Sequence, residues 1–147
     1  MSPALLLALA LIAQQPEAEE MDSEPGAPPP PPRVAAPIHV GGDAFTRALA
    51  RADRYEKVDA TNTYRDNLFA PALRDTLEDV LAVCLRDVKT TAQEFTVVVS
   101  FNARGDADGV YVDRATPASQ CAARNLQRLS APVPPVPDFA EEIRFRP

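Results

Sequence analysis

The chain has 147 residues, with 15 Lys and Arg against 21 Asp and Glu, and its formal net charge is −6. Nucleic-acid binding needs a basic stripe, which this sequence lacks, so the composition argues against nucleic acid as a partner. The single histidine, His39, and the two cysteines lie far apart in the sequence. No metal site or cofactor site is therefore predicted.

The N-terminal segment is the part of the sequence that indicates the compartment. Residues 4–13 (ALLLALALIA) form an uninterrupted apolar run that is followed by Gln14, Gln15 and Pro16. The run is shorter than the about 20 residues that span a bilayer, and small residues at its end offer a cleavage point after Ala13. We therefore expect residues 1–13 to be a signal peptide, no stable membrane span, and a periplasmic or secreted location in a bacterium. Retention of the run as an uncleaved anchor is the alternative.

Residues 14–42 differ in composition from the C-terminal two thirds of the chain. They contain an acidic cluster between Glu17 and Glu24 and five consecutive prolines at 28–32, with few large apolar side chains. Such a segment cannot bury enough surface to offset the entropy of ordering it. The sequence predicts a disordered, acidic and proline-rich tether over 14–42 and a folded domain over 43–147.

Helical periodicity is clearest in the first half of this domain. Asp43 can cap a marginal helix over Ala44–Lys57. The polar stretch Thr61–Asn67 is interpreted as a loop. Apolar residues then recur at helical spacing over Pro71–Lys89, which predicts an amphipathic helix.

The second half begins with an alternating segment, Glu94–Asn102 (EFTVVVSFN), which predicts a strand. The turn-forming residues 103–109 join it to a second strand over Val110–Arg114. Thr116 and Pro117 are the cap and first residue of a helix that runs through Leu129. After a proline-rich passage, Phe139–Arg146 alternates again, with Ile143 and Phe145 facing inward. The predicted fold class is α+β: a small antiparallel sheet of three strands with two helices packed on one face, in the order α-β-β-α-β after the marginal helix.

The cysteines Cys84 and Cys121 each lie on the apolar side of a predicted helix. In an exported chain an even pair is most often structural, and closing a loop of about 38 residues stabilises the fold by roughly 4 kcal/mol in the chain-entropy model. A redox pair is usually spaced as CxxC, and a zinc site needs further ligands. A structural disulfide is the favoured interpretation, with thiol-redox chemistry and metal binding as the alternatives.

The ordered set of these elements resembles the TonB C-terminal domain. It is most similar to the cysteine-bearing relatives found in gliding-motility and energy-transducer proteins. The matching features are Cys84, the strand over Val97–Phe101, the Gly-rich turn, Cys121 and the proline-containing approach to Ile143–Phe145. The resemblance covers about Pro71–Pro147. The Tyr-Pro pair usual before the first helix of TonB domains is absent here, and the apolar run is shorter than a transmembrane anchor.

The resemblance implies a binding surface. In TonB domains the final strand region offers an edge that accepts a partner's strand, and the equivalent residues here lie in the last predicted strand: Phe139, Glu142, Arg144 and Arg146. Main-chain pairing would supply the affinity. The expected partner is a protein of the cell envelope, and the oligomeric state is left open.

Other motifs add no chemistry. Arg104-Gly105-Asp106 matches an adhesive tripeptide, but the turn preferences of these residues explain it. No nucleophile elbow, zinc-protease, P-loop or dinucleotide motif occurs in the sequence. We expect an exported, non-enzymatic protein-binding module; the alternative is a soluble periplasmic accessory or inhibitor protein with a structural disulfide.

Overall fold

The computed structural model describes residues 32–86 and 93–146. These residues form one four-stranded sheet in the order β1-β3-β2-β4. Strand β1 is parallel to β3, whereas β2 is antiparallel to both β3 and β4. The four strands are β1 (Ile38–Val40), β2 (Phe95–Phe101), β3 (Ala107–Val112) and β4 (Ala140–Phe145). The predicted signal peptide and residues 14–31 of the predicted tether lie outside the described residues.

Three helical bodies accompany the sheet in the described part of the chain. The first is α1 (Gly42–Tyr55). The second is continuous: α2 (Asp59–Tyr64) passes through a π-helical segment (Arg65–Phe69) into α3 (Ala70–Leu85). The third is α4 (Pro117–Leu126). Residues 87–89 of the predicted helix Pro71–Lys89 are outside the described residues.

The α+β class is confirmed, but the sheet has four strands where three were predicted, and the marginal helix predicted over 44–57 is a full helical body, α1. The additional strand, β1, lies within the range 14–42 that the sequence assigns to the tether. Its ends are fixed by backbone bonds from the Val110 amide to the Pro37 carbonyl and from the Gly41 amide to the Val112 carbonyl, at 2.9 and 2.8 Å. A strand of three residues is too short to show an alternating pattern.

The interpretation of Thr61–Asn67 as a loop is also wrong, since these residues belong to α2 and the π-helical segment. Thr61 is buried in the first turn of α2, and its hydroxyl donates to the carbonyls of Tyr55 and Val58 at the junction with α1. A hydroxyl that satisfies backbone carbonyls in this way joins two helices closely. The polar composition of this stretch therefore reflects a helix junction.

The two faces of the sheet carry separate cores. On one face, residues of β2, β3 and β4 pack with α3 and α4 in the main cluster. On the other face, Ala48 and Ala52 of α1 pack against Val98 and Ala140. Strand β2 is thus buried on both faces. Helix α1 covers this second face, because its small residues allow it to approach the sheet closely.

Two local signals act as predicted. The Thr116 side chain accepts a hydrogen bond from the Ser119 amide, and the Ser119 side chain accepts one from the Thr116 amide, which forms a capping box at the start of α4.

In the β2–β3 turn, Gly105 has a φ of 85°, and a Cβ there would collide with the carbonyl of Ala131. The glycine of the Arg104-Gly105-Asp106 tripeptide is thus required by the turn itself.

Candidate partner-binding edge

Strand β4 forms one edge of the sheet. It pairs with β2 on one side, and no strand lies on its other side among the described residues. The amide of Phe101 donates to the carbonyl of Phe139 at 2.7 Å. Because hydrogen-bonded and non-hydrogen-bonded pairs alternate in an antiparallel ladder, Glu141, Ile143 and Phe145 direct their backbone groups toward β2. The backbone groups of Ala140, Glu142 and Arg144 therefore point away from the sheet.

The side chains of Glu142 and Arg144 form a bidentate ion pair on the α1 side of this edge. The Arg144 Nε and Nη2 atoms donate to the two Glu142 carboxylate oxygens at 2.7 and 3.0 Å. The hydrogen bond and the charge of Glu142 raise the pKa of Arg144. The Glu142 side chain is only 9% exposed, whereas that of Arg144 is 57% exposed. A molecule that approaches the edge would therefore meet the guanidinium group first.

Arg146 follows β4 and donates from Nε to Glu94 at 3.3 Å. Both side chains of this pair are exposed, so the pair contributes little to stability. Its position extends the row of charged side chains beyond the end of the strand. Arg144 and Arg146 are thus the two predicted site residues whose side chains are freely accessible.

The opposite side of β4 carries a buried ion pair that joins the strand to the π-helical segment. The Nε atom of Arg65 donates to Oε2 of Glu141 at 2.9 Å, and its Nη1 donates to Asn62 at 3.2 Å. Burial raises the pKa of Glu141, and Arg65 opposes the rise. Burial, followed by the negative charge of Glu141, raises the pKa of Tyr64 to about 12. Arg65 therefore compensates a carboxylate that would otherwise be costly in this position.

Phe139 does not lie on the accessible edge. Its side chain is fully buried and meets the ring of Tyr64 edge to face, with 5.2 Å between the ring centroids. The rings of Phe69 and Phe101 also pack around the ring of Phe139. The assignment of the Phe139 side chain to a partner surface is corrected: this residue belongs to the core. The alternation of the last strand already points to this place in the core, since Phe139 has the same parity as the inward-facing Ile143 and Phe145.

The cysteines lie away from this edge. Cys84 and Cys121 form a disulfide between α3 and α4 with their Cα atoms 5.5 Å apart. Asn125 donates from Nδ2 to the Cys121 carbonyl at 2.9 Å. This geometry is consistent with the predicted disulfide, which connects the two helices that cover the main core.

The second edge of the sheet is β1. It has three residues, and the backbone bonds of Pro37 and Gly41 to β3 leave the groups of Ile38 and Val40 pointing outward. The Val40 side chain is 51% exposed. This edge is half as long as β4 and therefore offers fewer backbone groups to a partner.

The described residues contain no group of three or more His, Cys, Asp or Glu side chains that could hold a metal ion. None of the helices in the described ranges is long and apolar enough to cross a membrane. Comparisons with protein-family models, with curated proteins and with solved structures found no match. The interpretation of the edge therefore depends on the geometry of the chain itself. Sequence reasoning missed Arg65 and Glu141, whose only signal was an acidic residue at an inward position of the last strand.

Proposed function

We propose that this chain is an exported, non-enzymatic protein-binding module similar to a TonB C-terminal domain, and that β4 accepts an extended segment of a protein partner in the cell envelope. The observation that carries this proposal is the edge position of a six-residue strand whose alternate backbone groups point away from the sheet. An extended peptide can add to such an edge as a further strand, with affinity from main-chain hydrogen bonds.

The contacts that hold β4 in place favour this strand over β1 as the partner-binding edge. The strand is held on one face by α1, through Ala140, and on the other by the Arg65–Glu141 pair. A strand fixed on both faces does not have to be ordered when a partner binds, and this lowers the entropic cost of association. The disulfide restrains α3 and α4 at a distance from the edge, so the core can remain rigid while the edge is occupied.

The proposal is tested by proline substitutions that remove one backbone donor at each edge. Arg144→Pro removes a donor that points away from β2, and an edge strand tolerates this change. Val40→Pro is the matched control, because it removes an outward donor of β1. Purified wild-type and variant chains are immobilised and exposed to extract of the cell envelope, and their thermal unfolding is compared in parallel.

We expect Arg144→Pro to fold and to lose the proteins captured by the wild type, whereas Val40→Pro retains them. Ile143→Pro removes a donor of the β2–β4 ladder and should unfold the domain. If folded Arg144→Pro captures the same proteins as the wild type, the binding site lies elsewhere. If Arg144→Pro unfolds as completely as Ile143→Pro, the backbone assignment of β4 is wrong.

A further inference from the structure

The edge of β4 has a charge pattern that is complementary to itself. Glu142 and Arg144 flank Ile143 on adjacent outward-pointing positions, and their side chains lie on the same face of the sheet. Reversing the direction of the strand exchanges the positions of acid and base. A second β4 in antiparallel orientation would therefore present a base opposite each acid.

Only some antiparallel registers satisfy the backbone groups that point outward. Ala140, Glu142 and Arg144 must face outward-pointing residues of the second strand, because hydrogen-bonded pairs use groups from both strands. A two-fold axis at Glu142 would place two carboxylates opposite each other, and an axis at Arg144 would place two guanidinium groups opposite each other. Like charges in direct cross-strand pairs are destabilising. A two-fold axis at Ile143 places Glu142 of each strand opposite Arg144 of the other strand. The outward-pointing backbone groups of both strands are hydrogen-bonded in this register as well.

We propose that two copies of this chain pair through β4 in antiparallel orientation, with the two-fold axis at Ile143, so that their sheets form one continuous eight-stranded sheet. Each Glu142 carboxylate then lies between the Arg144 of its own strand and the Arg144 of the second copy. On the other face, the two Ile143 side chains meet at the axis, where non-hydrogen-bonded pairs bring side chains closest. The half-buried Ile143 side chain becomes covered.

This inference goes beyond the proposed function, because it requires no other protein. The two are linked by competition, since both use the same edge. Pairing of one short strand buries less surface than a permanent dimer interface, so the dimer dissociates on dilution. The second copy would shield the edge until an extended partner segment displaces it.

Charge reversal tests the register directly. Glu142→Arg and Arg144→Glu each place like charges across the axis, and each variant should be monomeric by sedimentation equilibrium at concentrations where the wild-type full-length chain dimerises. An equimolar mixture of the two variants restores opposite charges at both cross-strand pairs and should form a heterodimer. Arg74→Glu is the control, because Arg74 is an exposed residue of α3 outside the β4 edge, and its reversal should leave dimerisation unchanged. Circular dichroism establishes that each variant is folded.

A measurement on the unmodified chain keeps the proposal open to refutation if a variant fails to fold. Amide exchange followed by NMR over a concentration series, up to about 1 mM where weak complexes form, should show protection of the Glu142 and Arg144 amides that increases with concentration. The outward-pointing amide of Val40 should show no such increase. A monomeric wild type over the whole series, or a mixture of folded charge-reversal variants that stays monomeric, would overturn the proposal. Neither result would affect the capture experiment, which measures a different partner.

Discussion

Removal of the Cys84–Cys121 disulfide is predicted to destabilise the domain without changing its fold. The two cysteines are separated by 37 residues in the sequence, and the loop between them contains β2 and β3. The chain-entropy model assigns about 4 kcal/mol to the closure of such a loop in the unfolded state. For a domain of this size, each kcal/mol corresponds to a shift in melting temperature of roughly 4 °C or more. We therefore expect the double variant Cys84→Ala, Cys121→Ala to melt about 15 °C below the wild type.

Urea unfolding at equilibrium, with and without reductant, measures this effect. The wild type should lose stability on reduction, and the double variant should be insensitive to the reductant, which controls for effects on other parts of the chain. The dependence on urea concentration should be steeper for the double variant, since an unfolded chain without the bridge exposes more surface. Quantitative alkylation of Cys84 and Cys121 in the native, unreduced protein would refute the reasoning. Equal stability of the oxidised and reduced forms would refute the predicted stabilisation of about 4 kcal/mol by the disulfide.

Two further predictions concern the residues around β4. Phe139→Ala should lower the free energy of unfolding by about 3 to 5 kcal/mol, because the fully buried ring fills the space between two helices and the sheet. Urea unfolding measures this loss. A loss below about 1 kcal/mol would contradict the place of Phe139 in the core. Arg65→Met leaves the Glu141 carboxylate without its partner and should cost about 3 to 5 kcal/mol at pH 7. Burial raises the pKa of Glu141, so the folded state holds this proton more tightly than the unfolded chain. The deficit of Arg65→Met should therefore shrink as the pH falls through that raised pKa, and Glu141→Gln should remove the pH dependence; a deficit that grows toward pH 5 would contradict the assignment.

The elements that the sequence predicts correctly are those whose burial is periodic and local. Strand β2 alternates along its length, α3 repeats apolar residues at helical spacing, and α4 carries its capping residues in adjacent positions. In each case the signal lies within about ten to twenty residues. Strand β4 lies at an edge of the sheet, and this position is not encoded in its local alternation.

The elements that the sequence did not predict depend on distant partners. Strand β1 is defined by its pairing with β3, about 70 residues further along the chain, and its three residues carry no period of their own. The helix junction at Thr61 is polar because its hydroxyl bonds backbone carbonyls, which composition alone cannot distinguish from a loop. In the π-helical segment, the wider turn shifts Tyr64 and Phe69 off the spacing of an α-helix while both face the core.

The charged side chains on both faces of β4 limit which extended segments could pair with this edge. An unpaired strand with apolar faces would accept many extended chains, and proteins commonly restrict such edges with charged side chains. Here Arg65 and Glu141 occupy one face, and Glu142 and Arg144 occupy the other. A strand that adds beside β4 must keep both ion pairs intact or replace their contacts, because an uncompensated charge at a newly buried edge is costly. Under the proposed function, the outward backbone groups would pair with any extended segment, and the side chains would favour a segment whose own charges match Glu142 and Arg144 in register.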